Sequence, residues 1–250
     1  ISGKKAQRLE PGLNNSVRSA AWCAKDGFTS AYLTGQAFRR ALTQENSAVM
    51  EYSKVKGIEN DKNNFKIFLE NNEYLTAKRI VLAGGVWLEE MLSWLNVKIQ
   101  IKCLINQLII TERMPTIMKT VLSIANGLLS LKQFDNGTIL IGGGWQGLGD
   151  KERGGVEAIP ENLRGNIRLA CHAIPELRSG RMVRVWLGLE AETADALPII
   201  GNVPGISNAY VIGSAHSGYT SGPYMGWLLS QFIMGQETDM PLFEPSRLIN

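Results

Sequence analysis

Apolar residues along this chain recur at a helical spacing in some segments and at a strand spacing in others. Apolar positions three or four residues apart predict amphipathic helices over 34–47, 86–95, 160–177 and 223–235. In the first of these, Thr34 is a suitable N-cap. Helices of this kind normally bury one face, so the four segments are the first candidates for packing against sheets.

The helix predicted after residue 222 has the clearest start and stop signals. Pro223 suits a first helical turn, and Thr220, Ser221 or Gly222 can provide the cap. Gly235 stands where a helix commonly ends. The apolar stripe between these ends consists of Met225, Leu228, Leu229, Phe232 and Ile233.

Alternating or short apolar runs predict strands in the rest of the chain. The predicted strands and hairpins are 48–61, 64–85, 97–113, 127–144 and 181–190. Asn136-Gly137 predicts a tight hairpin turn. The run "IVLA", 80–83, is typical of a strand that is buried on both faces in a parallel sheet. In 181–190, Val183 to Leu189 alternate with Arg184, Trp186 and Glu190.

The order of these elements predicts an α/β (α+β) fold built from two parts. Segments 33–95 and 195–236 contain strands followed by helices, which is typical of an α/β layer. Segments 1–32 and 96–194 are richer in strands and hairpins, and they predict a second domain around a mainly antiparallel sheet.

Composition narrows the classes of partner. The 250 residues carry a net charge of +3 without a basic cluster, so nucleic acid is not an expected partner. The longest apolar runs are too short for a transmembrane helix. Three widely spaced cysteines predict reduced thiols in a cytoplasmic protein. Two histidines do not predict a metal site.

A glycine loop, 213–222, joins the apolar run "NAYVIG" to the helix after it. Its Gly-x-x-x-x-Gly spacing resembles a phosphate loop, but Tyr219 stands where a triphosphate loop needs lysine. A helix N-terminus favours a partly or newly negative ligand group, and the pyrimidine edge of a flavin is one candidate. The alternative is that the glycines only allow the strand and the helix to pack closely.

The same region resembles the FAD-dependent D-amino-acid oxidase family, especially its sarcosine oxidase β-subunit and glycine oxidase branch. The resemblance is carried by Trp186-x-Gly188-Leu189, Thr193-x-Asp195, Pro198–Gly201, the 213–222 loop, and also by "RIVLAGGVW", "LEPGL" and "DGFTSAYLTGQAFRRAL". It extends in order over nearly the whole chain. It implies that the chain is the later part of such a protein, since the family's Gly-x-Gly-x-x-Gly strand is not among these residues.

The resemblance implies that 33–95 and 195–236 form an incomplete FAD-binding layer and that 1–32 and 96–194 form a substrate domain. It also implies FAD as cofactor and a set of site residues. The implied cofactor-binding residues are Gly84, Gly85, Val86, Trp87, Gly213, Ser217, Gly218, Tyr219, Thr220 and Ser221. The implied substrate-binding residues are Gln107, Trp145, Arg184 and Glu190, and the candidate catalytic residues are His216, Lys132 and Trp186. Glu190 departs from the glycine-oxidase-like pattern, in which an arginine at this position binds the substrate carboxylate. For most of these residues a structural role is the alternative.

The implied function is flavin-dependent oxidation of an amine or amino acid, of the D-amino acid, sarcosine, proline or opine type. Hydride would leave the carbon next to nitrogen, giving an imine. The implied partners are a small amine or amino-acid substrate and other subunits of a hetero-oligomeric dehydrogenase. The alternative is a non-catalytic or truncated subunit that does not bind FAD alone.

Overall fold

A computed structural model describes residues 1–61, 64–151, 155–213, 216 and 218–249. The α-helices in this part of the chain are α1 Gly3–Leu9, α2 Ala31–Gln44, α3 Leu88–Ser93, α4 Pro160–Ala173 and α5 Gly218–Ile233. The strands are β1 Val55–Asp61, β2 Asn64–Leu69, β3 Tyr74–Ala77, β4 Ile80–Leu82, β5 Lys102–Thr111, β6 Leu122–Ser123, β7 Ser130–Gln133, β8 Ile139–Gly142, β9 Leu148–Asp150, β10 Gly155–Glu157, β11 Met182–Glu192, β12 Ile199–Asn202 and β13 Ala209–Gly213.

The chain divides into two compact units, and the first consists of Ile1–Ser30 and Ile105–Leu189. Its main sheet has the strand order β11-β5-β8-β7-β6, and the β5–β8, β8–β7 and β7–β6 pairs are antiparallel. Apolar side chains of this sheet pack with the buried Ala170 and Ile174 of the α4 region. The hairpin predicted at Asn136-Gly137 is confirmed, and Gly137 takes a positive φ of 86° at the turn.

The second unit consists of Ala31–Leu104 and Glu190–Asn250. It contains an antiparallel sheet, β1-β2-β3, and a second sheet with the order β12-β13-β4. In the second sheet β13 is parallel to β4 and antiparallel to β12. One face packs with α3 through Leu88 and Leu92, and the other packs with α5. The parallel pairing predicted for residues 80–83 is therefore confirmed.

The predicted burial of the 80–83 strand on both faces is wrong. Ile80 and Leu82 are buried, but Val81 is 46% exposed. Val81 pairs with Tyr210 and shares the sheet face on which α5 packs. A run of apolar residues shows only that each side chain could be buried. Which side chains are buried depends on where the helix that covers the sheet lies.

Helix boundaries also differ from the prediction. α2 begins at Ala31, so the predicted N-cap Thr34 lies inside the helix, and no residue of this helix is buried.

α5 begins at Gly218, so Thr220, Ser221 and Gly222 are helical and Pro223 is its sixth residue. The predicted cap is therefore wrong. Thr, Ser and Gly are weak helix formers, so packing of the apolar face of α5 carries the helix back to Gly218. The hydroxyls of Tyr219 and Thr34 are hydrogen-bonded at 2.7 Å and hold its first turn to α2.

Two predicted strands differ in a similar way. The strand predicted over 48–61 is regular only from Val55 to Asp61. The alternation in 181–190 does form β11, but Val183 is 61% exposed and Leu189 is 36% exposed.

In the described part of the chain, no helix is long and apolar enough to cross a membrane.

Candidate functional site

The glycine segments singled out in the sequence meet at one edge of the β12-β13-β4 sheet. β4 and β13 are neighbouring parallel strands, with Ile80 opposite Ala209 and Leu82 opposite Val211. Both strands therefore end at the same edge, one before Gly84–Gly85 and the other at Gly213. In open α/β sheets, ligands bind outside the carboxyl ends of parallel strands.

The glycines at this edge have different roles. Gly84 packs against Met91 of α3, so a larger residue would collide with that side chain. Gly85 has φ +58°, and a Cβ added there would meet no heavy atom within 4 Å. Gly213 has φ +142°, and a Cβ there would lie 2.9 Å from Leu88 Cδ1. Gly84 and Gly213 thus allow close packing, while Gly85 borders open space.

Val86 and Trp87 follow directly and begin the chain's turn into α3. The Val86 side chain is 3% exposed and belongs to the core, so only its backbone can face a ligand. Trp87 is 46% exposed. Of the two predicted residues, only Trp87 presents a side chain to the surroundings.

The N-terminus of α5 lies on the loop that continues from β13. The first four N–H groups of an α-helix have no acceptor inside the helix, and the helix dipole places positive potential there. Here those residues are Gly218, Tyr219, Thr220 and Ser221, of which the first three are exposed. This end of the helix suits an acceptor atom that carries or gains negative charge. Ser217, another predicted residue, lies outside the described residues.

A groove of about 710 Å³ runs between α2 and α5. Its lining residues are Ala31, Thr34, Gly35, Phe38, Gly218, Tyr219, Gly222, Pro223, Gly226, Trp227 and Ser230. Cβ atoms added at Gly35, Gly222 or Gly226 would meet no heavy atom within 4 Å. The groove is therefore apolar and open along the two helices, and at one end it reaches the first turn of α5. This combination fits a group with a flat apolar body and a polar acceptor edge, as a flavin has.

An acid–imidazole pair stands beside the same loop. His216 Nδ1 lies 3.3 Å from Glu190 Oε1, and the side chains are 61% and 21% exposed. The pair connects the end of β11 with the residues just before α5. Both residues are candidates from the sequence, but they are 26 positions apart and no local pattern joins them.

Among the described residues, no three His, Cys, Asp or Glu side chains are arranged to hold a metal ion.

The remaining predicted site residues lie in the first unit. Arg184 and Trp186 line a groove of about 550 Å³ together with residues of β5 and the Asn136 hairpin. Lys132 Nζ lies 5.9 Å from the ring centre of Phe28. Arg184 and Trp186 are exposed and Lys132 is half-buried, and these three side chains alone do not define a ligand.

Gln107 and Trp145 have structural partners. Gln107 is 2% exposed, and its Oε1 accepts a hydrogen bond from the Ile159 backbone N–H at 2.6 Å. Its Nε2 has no hydrogen-bond partner among the described residues. Trp145 Nε1 donates to the Leu128 carbonyl at 2.7 Å. Gln107 therefore ties β5 to the start of α4, and Trp145 ties the segment after β8 to the residues before β7.

A family model described as "FAD dependent oxidoreductase" (DAO) matches residues 1–232. The chain belongs to the DAO family of FAD-dependent oxidoreductases. The family is thus the one that the motifs around residues 186–222 resemble, and FAD is its cofactor. The predicted α/β fold and the assignment to a family of flavin-dependent oxidoreductases are confirmed.

Individual relatives are similar over most of this chain. It is 26% identical to the hydrogen cyanide synthase subunit HcnC of Pseudomonas aeruginosa over 97% of its own length and 57% of the relative's. It is 26% identical to an opine oxidase subunit of Rhizobium meliloti over 97% of the chain and 63% of the relative. Glycine oxidase of Geobacillus kaustophilus is 22% identical over 95% of the chain and 62% of the enzyme.

Solved structures show the same fold. L-proline dehydrogenase from P. horikoshii matches with a TM-score of 0.90 at 23% identity, over 99% of this chain and 67% of that one. Glycine oxidase from Geobacillus kaustophilus matches with a TM-score of 0.88 at 20% identity, over all of this chain and 67% of that one. The chain therefore spans about three fifths of the relatives named above and two thirds of the solved chains.

Proposed function

We propose that this chain forms the flavin-facing and substrate-facing parts of an enzyme that oxidises an amine or amino acid to an imine. The observation that carries the proposal is the meeting of two parallel strand ends at Gly85 and Gly213, next to the N-terminus of α5. The family match over residues 1–232 supports FAD as the group held there.

In this proposal the residues at the strand ends position the cofactor. The backbone around Gly84–Trp87 and the N–H groups of Gly218–Ser221 would hold it. Bound FAD supplies hydride acceptance from the carbon next to the substrate nitrogen. The dipole of α5 favours negative charge at the edge that faces it, which would make reduction of the bound ring easier.

The substrate class follows from the relatives as a group. Glycine oxidase, opine oxidase and L-proline dehydrogenase are similar to this chain, and the compounds in their names share a carbon–nitrogen bond. Because HcnC and the opine oxidase relative are subunits, we also propose that this chain works with other subunits. Arg184, Trp186, Gln107, Trp145 and Lys132 remain candidates for substrate contact.

The first experiment is an absorbance spectrum of the purified 250-residue chain before and after addition of FAD. We expect a flavin spectrum that persists through desalting. A chain that is colourless after incubation with a high concentration of FAD and subsequent desalting would contradict the proposed site in this chain. That result would favour the alternative of a non-catalytic subunit that does not bind FAD alone.

The second experiment tests the N-terminus of α5 directly with Thr220→Glu. A carboxylate in the first helical turn interacts favourably with the helix dipole, so the fold should be unharmed or slightly stabilised. It would, however, repel an acceptor edge at the same place, and we expect FAD affinity to fall about fivefold, or about 1 kcal/mol.

Thr220→Gln is the matched control, because it has the same size and hydrogen-bonding length as the Glu variant without the charge. It should retain FAD as the unsubstituted chain does. Affinity is measured by titration of flavin fluorescence, and the fold by thermal unfolding. Equal affinity for the Glu and Gln variants would mean that the flavin does not approach this helix end.

A further inference from the structure

The groove of about 550 Å³ in the first unit combines apolar walls with a cationic side chain. Among its described lining residues, Arg184 is the one that carries a charge, and all of them belong to unit 1. They are Ile110, Phe134, Asn136, Thr138, Val183, Arg184 and Trp186. A groove of this kind suits a ligand that is apolar over most of its surface and carries one charged group.

The charge of Arg184 is not used by the protein itself. The side chain is exposed, and its guanidinium forms no hydrogen bond or ion pair with any described residue. Within two positions of the lining residues along the chain stand two acidic and two basic residues, so these flanking charges balance. They are Glu112, Asp135, Lys132 and Arg181. Because arginine stays protonated throughout the physiological pH range, the groove keeps a net positive charge.

Two other side chains of the groove add hydrogen-bond donors. Asn136 Oδ1 accepts from the Thr138 backbone N–H at 3.0 Å and from the Thr138 hydroxyl at 2.8 Å. These bonds fix the orientation of the amide, and its Nδ2 group has no partner among the described residues. The indole N–H of Trp186 likewise has no acceptor in the described part of the chain. Donors beside a guanidinium suit a carboxylate and not an ammonium group.

The apolar part of the groove includes two aromatic side chains. Trp186 is 41% exposed, and Val183 is 61% exposed. The ring of Phe134 makes an edge-to-face contact with Phe28, with ring centres 5.2 Å apart, which holds its orientation. A flat apolar ligand would remove this surface from water and could stack on the indole. The apolar walls therefore favour an aromatic body next to the carboxylate.

We propose that this groove binds a carboxylate carried by an aromatic group, with Arg184 holding the carboxylate and Trp186 contacting the ring. The inference goes beyond the proposed function and does not depend on it, because the groove binds this ligand without a cofactor. No bond forms or breaks there. Two sources supply such a ligand: an aromatic amino acid that the enzyme oxidises, or a separate aromatic carboxylate that it does not oxidise.

The first test measures binding to the purified chain without FAD, by saturation-transfer NMR. The probes are 3-phenylpropionate, 3-phenylpropylamine and propionate. The first two share the ring and differ in charge, and the third has the carboxylate without the ring. We expect 3-phenylpropionate to bind at least about tenfold more tightly than either of the others. Equal affinity for the two phenyl compounds, or no binding of 3-phenylpropionate at millimolar concentrations, would overturn the inference.

Arg184→Gln tests whether the guanidinium holds the carboxylate. It removes the charge, so the affinity of 3-phenylpropionate should fall about tenfold while that of 3-phenylpropylamine does not fall. Arg184→Lys keeps the charge without the planar fork and should fall between the two. Arg168→Gln is the control, because Arg168 is an exposed arginine of the same unit without a partner among the described residues. Equal losses in the two Gln variants would overturn the inference.

Trp186→Ala tests the aromatic wall. It should weaken binding of 3-phenylpropionate and leave that of propionate unchanged, because only the ring contacts the indole. Trp22→Ala is the control, since Trp22 is 46% exposed in the same unit and is not among the lining residues. Thermal unfolding checks that each variant is folded. If Trp186→Ala or Arg184→Gln fails to fold, the comparison of probes on the unsubstituted chain still decides.

The source of the ligand is tested on the chain loaded with FAD, by following flavin reduction. If the ligand is the substrate, Arg184→Gln should raise KM for phenylalanine about tenfold and leave KM for 2-phenylethylamine unchanged. 3-Phenylpropionate should then compete with phenylalanine. If the ligand is a separate carboxylate, KM stays the same and there is no competition. If no amine reduces the flavin, the proposed function fails, while the NMR comparison still decides whether the groove binds the carboxylate.

Discussion

At the scale of single residues, the Thr193-x-Asp195 motif anchors the end of the chain. Arg247 Nε and Nη2 donate to the two carboxylate oxygens of Asp195, at 2.8 and 3.2 Å. Thr193 Oγ1 and the Leu197 backbone N–H donate to the same carboxylate. The guanidinium also donates to backbone carbonyls on both sides of the contact. A motif that resembled a family signature therefore has a structural role in this chain.

This contact predicts a pH dependence of stability. The hydrogen bonds from Arg247 lower the pKa of the Asp195 carboxyl below its ordinary value. Since the folded-state pKa is the lower one, the contribution is complete above the unfolded value of about 3.9 and is lost as the pH falls through the folded value. The side chain is 37% exposed, so solvent limits the contribution to about 1 kcal/mol.

Asp195→Asn should therefore be less stable than the unsubstituted chain at about pH 6, and the difference should shrink towards about pH 2. Urea unfolding midpoints at several pH values measure it. Arg247→Gln removes the other partner and should give the same pH profile. A difference that stays constant with pH would show that the charge on Asp195 does not stabilise the fold.

Some residues of the candidate site could be identified from the sequence alone, and others could not. Glycines at 84, 85 and 213 could be read from the sequence because they end apolar strands. The pairing of Glu190 with His216 could not, since it depends on how β11 and the loop before α5 meet in space. Likewise, no local signal distinguishes the core side chain of Val86 from the exposed one of Trp87.

At the scale of elements, α2 is the least supported of the longer helices in the described chain. It has no buried residue, and its exposed apolar side chains include Tyr32, Leu33, Phe38 and Leu42. α4 has the same length of 14 residues but buries Asn166 and Ala170. A helix of this length has little stability in water without tertiary packing. The periodic pattern identified both helices but did not separate the packed one from the exposed one.

Hydrogen exchange followed by mass spectrometry tests this difference. We expect the backbone amides of α2 to exchange much faster than those of α4, because opening α2 costs few buried contacts. α4 is the internal control, being equal in length and present in every sample. Equal protection of the two helices would show that another surface covers α2 in solution.

At the scale of the whole molecule, the chain has two compact units, each built from two separated segments. Glu10 belongs to the first segment of unit 1 and bonds to the second segment. Its Oε2 accepts hydrogen bonds from the backbone N–H groups of Lys119 and Thr120 and from the Thr120 hydroxyl, at 2.7 to 2.8 Å. Asp195 has its partners within unit 2. Each carboxylate thus supports the unit that holds it.

The two carboxylates allow a reciprocal experiment. Glu10 is 2% exposed, so Glu10→Gln should cost about 1–3 kcal/mol by weakening bonds to a buried acceptor. Hydrogen exchange should then accelerate mainly in residues 105–189. Asp195→Asn should accelerate exchange mainly in residues 190–249. If both variants loosened both ranges equally, the units would unfold as one.

The sequence by itself determined what depends on local order. Periodicity predicted the helices and the hairpin at Asn136-Gly137, the apolar run before Gly84 predicted a parallel strand, and the motifs after Trp186 identified the family. These features follow from backbone preferences and from the spacing of side chains within a few residues.

Only the tertiary structure decided which apolar faces are covered and which distant polar groups meet. It left Val81 and α2 exposed, began α5 at Gly218, and joined Glu190 to His216 and Asp195 to Arg247. These contacts link positions that are 26 and 52 residues apart in the chain. Burial and charge pairing depend on which elements lie side by side, and the spacing of residues within one element does not contain that information.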